Sequence, residues 1–151
     1  CVVFTSATLA VGRHASFDFF NSRLGLEKPR SAQLGSPFNY REQARLVVVG
    51  GMPDPAAEAE TYERLAANMI RRYVARTDGH AFALFTSNGM LRRVADRLRD
   101  WLAENGLEIH CQTDGTPRHL MIERFKANPR AVLFGTVSFW QGVDAGSITT
   151  S

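Results

Sequence analysis

Lysine is almost missing from this chain: of its eighteen cationic residues only Lys28 and Lys126 are lysines, and the formal net charge is +3. Arginine's planar fork suits bidentate phosphate contacts. The base composition of a genome accounts for an Arg- and Ala-rich chain at least as simply, so the bias alone assigns no partner. Cysteine is scarce too. Cys1 and Cys111 show no CxxC spacing and no His/Cys set at ligand spacing, which argues against a metal site. His110 adjoins Cys111, but neighbours along a strand point to opposite faces. Both cysteines read as small buried hydrophobes in a reducing cytoplasm. No apolar run approaches the roughly 20 residues that span a bilayer, so no membrane is expected. No GxGxxG follows an apolar run, which disfavours a dinucleotide-binding enzyme. There is no internal repeat and no low-complexity segment.

What remains is the composition of an ordinary globular domain, 44% hydrophobic and 22% charged over 151 residues, enough for one domain with a core. The opening Cys-Val-Val-Phe-Thr-Ser is neither an initiator methionine nor a signal peptide. It reads as a chain that begins inside a β-like run and has lost what came before.

The order of elements follows from periodicity. Residues 2–4 form a short apolar strand ending in the small-residue loop Thr5-Ser6-Ala7-Thr8. Phe17, Phe20 and Leu24 recur at helical spacing with Gly25 as the stop. Residues 28–45, with Pro29, Gly35 and Pro37, read as a connector. Leu46 to Val49 reads as a buried strand closed by Gly50-Gly51. From 58 to 77 one apolar stripe (Tyr62, Leu65, Ala66, Met69, Ile70, Tyr73 and Val74) predicts a helix stopped by Gly79. Ala81 to Phe85 is a strand running into Thr86-Ser87-Asn88. Leu91, Val94, Ala95, Leu98, Trp101 and Leu102 share a face of the next helix, with Gly106 at its C′ position. Ile109 to Cys111 is a short strand. Thr116-Pro117 reads as an N-cap and N1 proline opening a helix through Phe125, and Ala131 to Gly135 is the last strand. Arg92 and Asp96 are spaced for an i,i+4 pair. Arg71, Arg72 and Arg76 read as a solvated face, with a DNA-facing stripe as the alternative. Strands alternating with helices imply βαβ units and a mostly parallel sheet.

Ligands gather beyond the carboxyl ends of strands in such sheets. Three of the expected ends carry small hydroxyl or glycine residues: Thr5 to Thr8, Thr86 to Asn88, and Gly135 to Ser138. Hydroxyls and free backbone N–H groups there suit phosphate oxygens. Each loop alone reads more simply as the N-cap chemistry of a following helix; three on one sheet edge shift the balance toward a site.

Those loops carry a specific resemblance. Thr5-Ser6-Ala7-Thr8-Leu9 resembles helicase motif III, and Ala83-Leu84-Phe85-Thr86-Ser87 resembles motif IV. Gly135-Thr136-Val137-Ser138-Phe139-Trp140-Gln141-Gly142-Val143-Asp144 resembles motif V of the DinG branch of superfamily 2 helicases, which includes the XPD-type helicases. The stretches Ser36-Pro37-Phe38-Asn39-Tyr40 and Met52-Pro53-Asp54-Pro55 look like the same family's C-terminal helicase domain. The resemblance spans residues 2–144.

It implies an α/β, RecA-like three-layer α/β/α domain with a mostly parallel sheet, incomplete here. It further implies that residues 1–10 end a first RecA-like domain, 11–45 form a connector with a short helix, and 46–151 form the second, truncated after motif V. Thr5, Ser6, Ala7 and Thr8 would couple hydrolysis to grip on DNA at the interface with the first domain. Thr86, Ser87, Asn88, Thr136 and Ser138 would meet the backbone of single-stranded DNA. Trp140 would stack on a base or pack at the domain interface. Gly142 and Asp144 would approach the nucleotide. The implied activity is that of an ATP-dependent DNA repair helicase moving 5′ to 3′, using ATP and Mg²⁺. An iron–sulfur cluster, where the family has one, uses cysteines of the first motor domain and none of those present here.

Two departures stand out. Gln141 occupies a position usually held by Glu, and Ala145 to Ser151 do not continue the family's pattern. No glycine-rich turn ends in Lys-Ser/Thr, because Lys28 precedes Pro29 and Lys126 precedes Ala127. No Asp-Glu pair occurs anywhere. Holding ATP phosphates needs the first, and positioning Mg²⁺ and water needs acidic residues of the second kind. The expectation is therefore a motor half that does not hydrolyse ATP alone. The alternative is a non-catalytic, degenerate RecA-like module that binds nucleic acid or a protein partner.

Overall fold

The computed structural model describes residues 2–6, 9–11, 16–36 and 38–139. The chain divides into two units, Cys1–Val48 and Val49–Ser151.

In the first unit, Phe17, Phe20 and Leu24 do mark a helix, α1 (Asp18–Leu24). Gly25 ends it in the left-handed region at φ 63°. Phe20 meets Phe4 edge-on with ring centroids 5.5 Å apart, and Val11 and Ser16 form an antiparallel bridge. A four-residue helix, α2 (Tyr40–Gln43), follows in the connector. The expected strand over residues 2–4 does not form, and Val2 and Val3 are 75% and 78% exposed. Leu46 to Val49 likewise form no strand and stay exposed. The physical reason is shared: apolar β-branched residues favour extended backbone, but a strand exists only when its N–H and C=O groups find a neighbour. Neither run has a ladder partner among the described residues.

The second unit holds the sheet. Its strands are β1 (Ala81–Leu84), β2 (Glu108–Cys111) and β3 (Ala131–Gly135), with β3 central in the order β1-β3-β2 and both pairings parallel. Every residue of β3 is buried, as a parallel strand covered on both faces requires. Its alternation assigns the layers. Val132 and Phe134 join the core formed with α3 (Ala59–Thr77) and α4 (Asn88–Glu104). Ala131 and Leu133 face the other way, onto Met121 and Phe125 of α5 (Arg118–Ala127). This is the α/β, RecA-like three-layer architecture, represented by three strands.

α4 buries the expected face: Leu91, Val94, Ala95, Leu98 and Leu102 are at most 3% exposed. α3 differs. Its fully covered line is Glu63, Ala67 and Val74, while Tyr62, Met69 and Tyr73 are only partly covered. The buried line is set by α4, whose Arg93 grips the Glu63 carboxylate through Nε at 3.0 Å and Nη2 at 2.7 Å. That hydrogen bond, with the charge of Arg93, holds the Glu63 carboxyl below its ordinary range against an opposing effect of burial. The expected Arg92–Asp96 pair is replaced by Arg99–Asp96 at 3.1 Å. Arg71 lies over the Trp101 ring at 5.1 Å rather than standing wholly in solvent. α5 starts one residue later than expected, with Pro117 at the cap position and no side-chain cap from Thr116.

The amino edge of the sheet is tied by Arg130, which donates from Nη2 to Asp78 Oδ1 (2.9 Å) and to the Asn105 carbonyl (2.8 Å). Gly79 is needed beside it. Its φ is 101°, and a Cβ there would stand 2.7 Å from the Arg130 Cα.

His110 on β2 is 6% exposed, and its buried Nε2 lacks a hydrogen-bond partner among the described residues. Glu108 Oε1 approaches only to 3.5 Å. Burial lowers its pKa, Arg124 adds to that, and Glu108 opposes it. The unfolded chain therefore takes up a proton near pH 6.5 that the folded chain refuses. Stability is full above that value and declines as pH falls toward the folded pKa. Melting curves should show a drop as pH falls below about 6.5 that His110→Phe abolishes. Glu63, held below 4.5, keeps its stabilising contribution throughout this range and loses it only at lower pH. An unchanged acid slope in His110→Phe sinks the assignment.

Candidate nucleic-acid interface

Three parallel strands deliver their carboxyl ends to one edge, so the residues following β1, β2 and β3 emerge side by side. After β1 come Thr86, Ser87 and Asn88, all exposed. Ser87 is the N-cap of α4, accepting the Met90 N–H at 3.2 Å. As an acceptor it keeps its own hydroxyl proton for another partner.

After β3 comes a 3-10 turn, Val137–Phe139, closed by Phe139 N–H donating to the Thr136 carbonyl at 2.8 Å. Phe139 is 4% exposed and packs into the α5 core, whereas Val137 and Ser138 are exposed. Thr136 is only 9% exposed. Its N–H and its hydroxyl both donate to Gln112 Oε1, at 2.7 and 3.0 Å. Neither donor is left for a phosphate oxygen.

Gln112 is the residue after β2, and sequence reasoning passed over it. Its Nε2 also donates to Ser138 Oγ at 3.3 Å. Gln112 opens a 3-10 turn, Gln112–Asp114, pinned to α4 by Arg99, which donates to Asp114 Oδ1 at 2.7 Å and to Asp96 Oδ1 at 3.1 Å. The Asp114 hydrogen bond raises the Arg99 pKa and keeps it cationic. The position of Gln112 one residue past an apolar run was a usable signal. It is less conspicuous than the hydroxyls at the other strand ends, because Gln112 carries an amide.

Guanidinium groups flank this edge. Arg93, in the second turn of α4, is 59% exposed on its side chain while the Glu63 carboxylate holds it. Arg118, opening α5, stacks over the Phe139 ring at 5.3 Å. Among the described residues no group of three His, Cys, Asp or Glu side chains converges to hold a metal ion. Among the described residues no helix is long and apolar enough to cross a membrane.

The structure thus brings Thr86, Ser87, Asn88, Thr136 and Ser138 to one edge. Thr5 and Ser6 are exposed residues of the first unit, within an opening lined by Phe4, Leu9, Phe17 and Leu34. Ala7, Thr8, Trp140, Gly142 and Asp144, as well as Cys1, lie outside the described residues.

A parallel α/β domain whose strand ends present hydroxyls, an amide and guanidinium groups is the class the fold defines. Residues 70–147 match the helicase C-terminal domain family, and the chain belongs to that family. Within it the similarity is to DinG- and YoaA-like ATP-dependent helicases. The ATP-dependent DNA helicase YoaA of Escherichia coli (strain K12) is 36% identical over 149 residues, 99% of this chain and 22% of that protein. The 3'-5' exonuclease DinG of Bacillus subtilis (strain 168) is 34% identical over 155 residues, 95% of this chain and 16% of that protein. The ATP-dependent helicase DinG of Mycobacterium tuberculosis (strain H37Rv) is 34% identical over 146 residues, 94% of this chain and 21% of that protein. The chain therefore spans between 16% and 22% of the length of these curated relatives. No solved structure matches.

Proposed function

We propose that this chain supplies most of the second motor domain of an ATP-dependent DNA helicase that moves 5′ to 3′ along single-stranded DNA. The observation that carries the proposal is the shared carboxyl edge, where Thr86, Ser87, Asn88 and Ser138 emerge beside the guanidinium groups of Arg93 and Arg118. Hydroxyl and amide donors there suit phosphate oxygens, which only accept. Family membership gives the edge its biological sense.

In this proposal residues 1–10 end the first RecA-like domain, 11–45 connect, and 46–151 form the second domain. The break between units after Val48 supports a boundary in that region. Thr5 to Thr8 couple the two domains of one cytoplasmic protein, and Gly142 and Asp144 approach the nucleotide from this side. The residues that hold the ATP phosphates and Mg²⁺ belong to another stretch of the protein. No hydrolytic step is assigned to the described residues. What these residues do is bind and orient the strand.

The 151-residue chain should turn over ATP negligibly and bind a fluorescein-labelled oligothymidylate weakly. The log of its affinity should fall with log salt by roughly 0.7 per phosphate contacted. Robust ATP turnover by this chain, or affinity indifferent to salt, overturns the proposal. In the complete protein, strand displacement should require a 5′ single-stranded overhang; dependence on a 3′ overhang reverses the assigned direction.

A further inference from the structure

We infer that Gln112 is a positioning residue, which anchors Thr136 and thereby holds the Ser138 hydroxyl out toward a phosphate of the bound strand. The inference rests on the DNA-facing reading of this edge and changes the division of labour within it.

The geometry begins with the Thr136 N–H, which can only donate. It lies 2.7 Å from Gln112 Oε1, so the amide oxygen must face Thr136 and the opposite orientation would set donor against donor. The Thr136 hydroxyl donates to the same oxygen at 3.0 Å. With the oxygen so placed, Nε2 is directed at Ser138 Oγ, 3.3 Å away. Ser138 accepts that bond and keeps its own proton. The proton thus stays available on an exposed side chain, between buried Thr136 and buried Phe139.

Gln112 is itself fixed from below. Its turn is held to α4 through Asp114 and Arg99, and it is half-buried between β2 and the turn after β3. A donor whose lone pair is already engaged, on a turn clamped at both ends, is oriented before any ligand arrives. Preorganisation of that kind is where affinity for an acceptor-only oxygen comes from. Thr136, its donors spent, serves as the anchor and Ser138 as the contact.

The test uses the 151-residue chain, oligothymidylate anisotropy and amide hydrogen exchange. Gln112→Met keeps the side chain's length and removes both polar ends. It should speed exchange at the Thr136 amide and weaken DNA binding by about tenfold or more, as loss of one oriented hydrogen bond to a charged group does. The salt slope should hold, because no cation is lost. Ser138→Ala should weaken binding to a similar degree. Gln112→Met added to Ser138→Ala should cost less than about twofold more, since the two act as one unit.

Gln112→Glu keeps an acceptor oxygen for both Thr136 donors, and there the Thr136 amide should stay protected. This variant tests the anchor even if Gln112→Met unfolds. Loss of protection in Gln112→Glu overturns the inference. So does full affinity in Gln112→Met, or additive losses in the double variant, which a general structural defect produces. If Ser138→Ala binds as the parent does, the DNA-facing reading of this turn fails with it. If Ser138→Ala weakens binding while Gln112→Met does not, only the positioning role fails.

Discussion

Phe125→Ala is expected to destabilise the second unit by about 3–5 kcal/mol, the cost of deleting a buried aromatic whose site cannot collapse. Phe125 is 1% exposed. Its ring lies 4.5 Å from Phe82 in a stacked arrangement and 4.5 Å from His80. Among the described residues α5 is the one helix on the second face of the sheet, with a buried cluster of Met121, Phe125, Ala131, Leu133 and Phe139. The opposite face has two helices and a larger core. A void beneath α5 therefore has, among the described residues, no second helix to move into it. Phe82, already 37% exposed, would be bared further. Urea unfolding followed by circular dichroism should show the loss, with a fall in midpoint at constant slope. Phe19→Ala, at a 57% exposed position on α1, should stay within about 0.5 kcal/mol of the parent. Equal effects of the two substitutions contradict the single-helix account of this face.

That asymmetry bears on the proposed site, because Phe139 belongs to the same cluster and lies one residue beyond Ser138. The α5 core is thus the footing of the turn after β3. Loosening Phe125 should be felt there before it is felt at Ser87, which is capped onto α4 and the other core.

The elements with a full set of partners were legible from sequence. The α4 stripe and the three strands of the sheet followed from periodicity, because their apolar residues are buried where their spacing says. β3 was legible for the same reason: a five-residue apolar run suits a strand covered on both faces. Val2 to Phe4 and Leu46 to Val49 carry the same composition, yet pairing is a property of neighbours and hydropathy does not report it. α3 was readable as a helix but not in its rotation. The line that is buried contains Glu63, whose partner Arg93 is thirty residues away in the chain, beyond any local pattern. At the site, Thr86, Ser87, Thr136 and Ser138 were visible as hydroxyls at strand ends. Gln112 was not, since its role exists only once β2 and β3 are adjacent.

Gly135→Ala is the second substitution from which a large effect is expected, and it acts on stability and the site together. Gly135 ends β3, paired with Leu84 of β1. A Cβ built there falls 2.7 Å from Phe139 Cδ2, 2.8 Å from its Cγ and 3.0 Å from its Cβ. The obstructing atoms include the base of a buried side chain rather than a flexible tip, so the added methyl cannot be met by a change of rotamer alone. Phe139 has to withdraw, and the turn from Val137 to Phe139 has to move with it. Overpacking of this kind costs about 1–3 kcal/mol. The movement also draws Ser138 away from Gln112 Nε2 and strains the bond from Phe139 N–H to the Thr136 carbonyl. Urea unfolding should report the stability loss, hydrogen exchange at the Phe139 amide should accelerate, and oligothymidylate affinity should fall alongside. Phe139→Leu in the Gly135→Ala background removes part of the obstructing ring and should restore some stability. Were Gly135→Ala as stable as the parent, with the Phe139 amide equally protected, the close approach of strand end and turn would not be what sets the geometry of this edge.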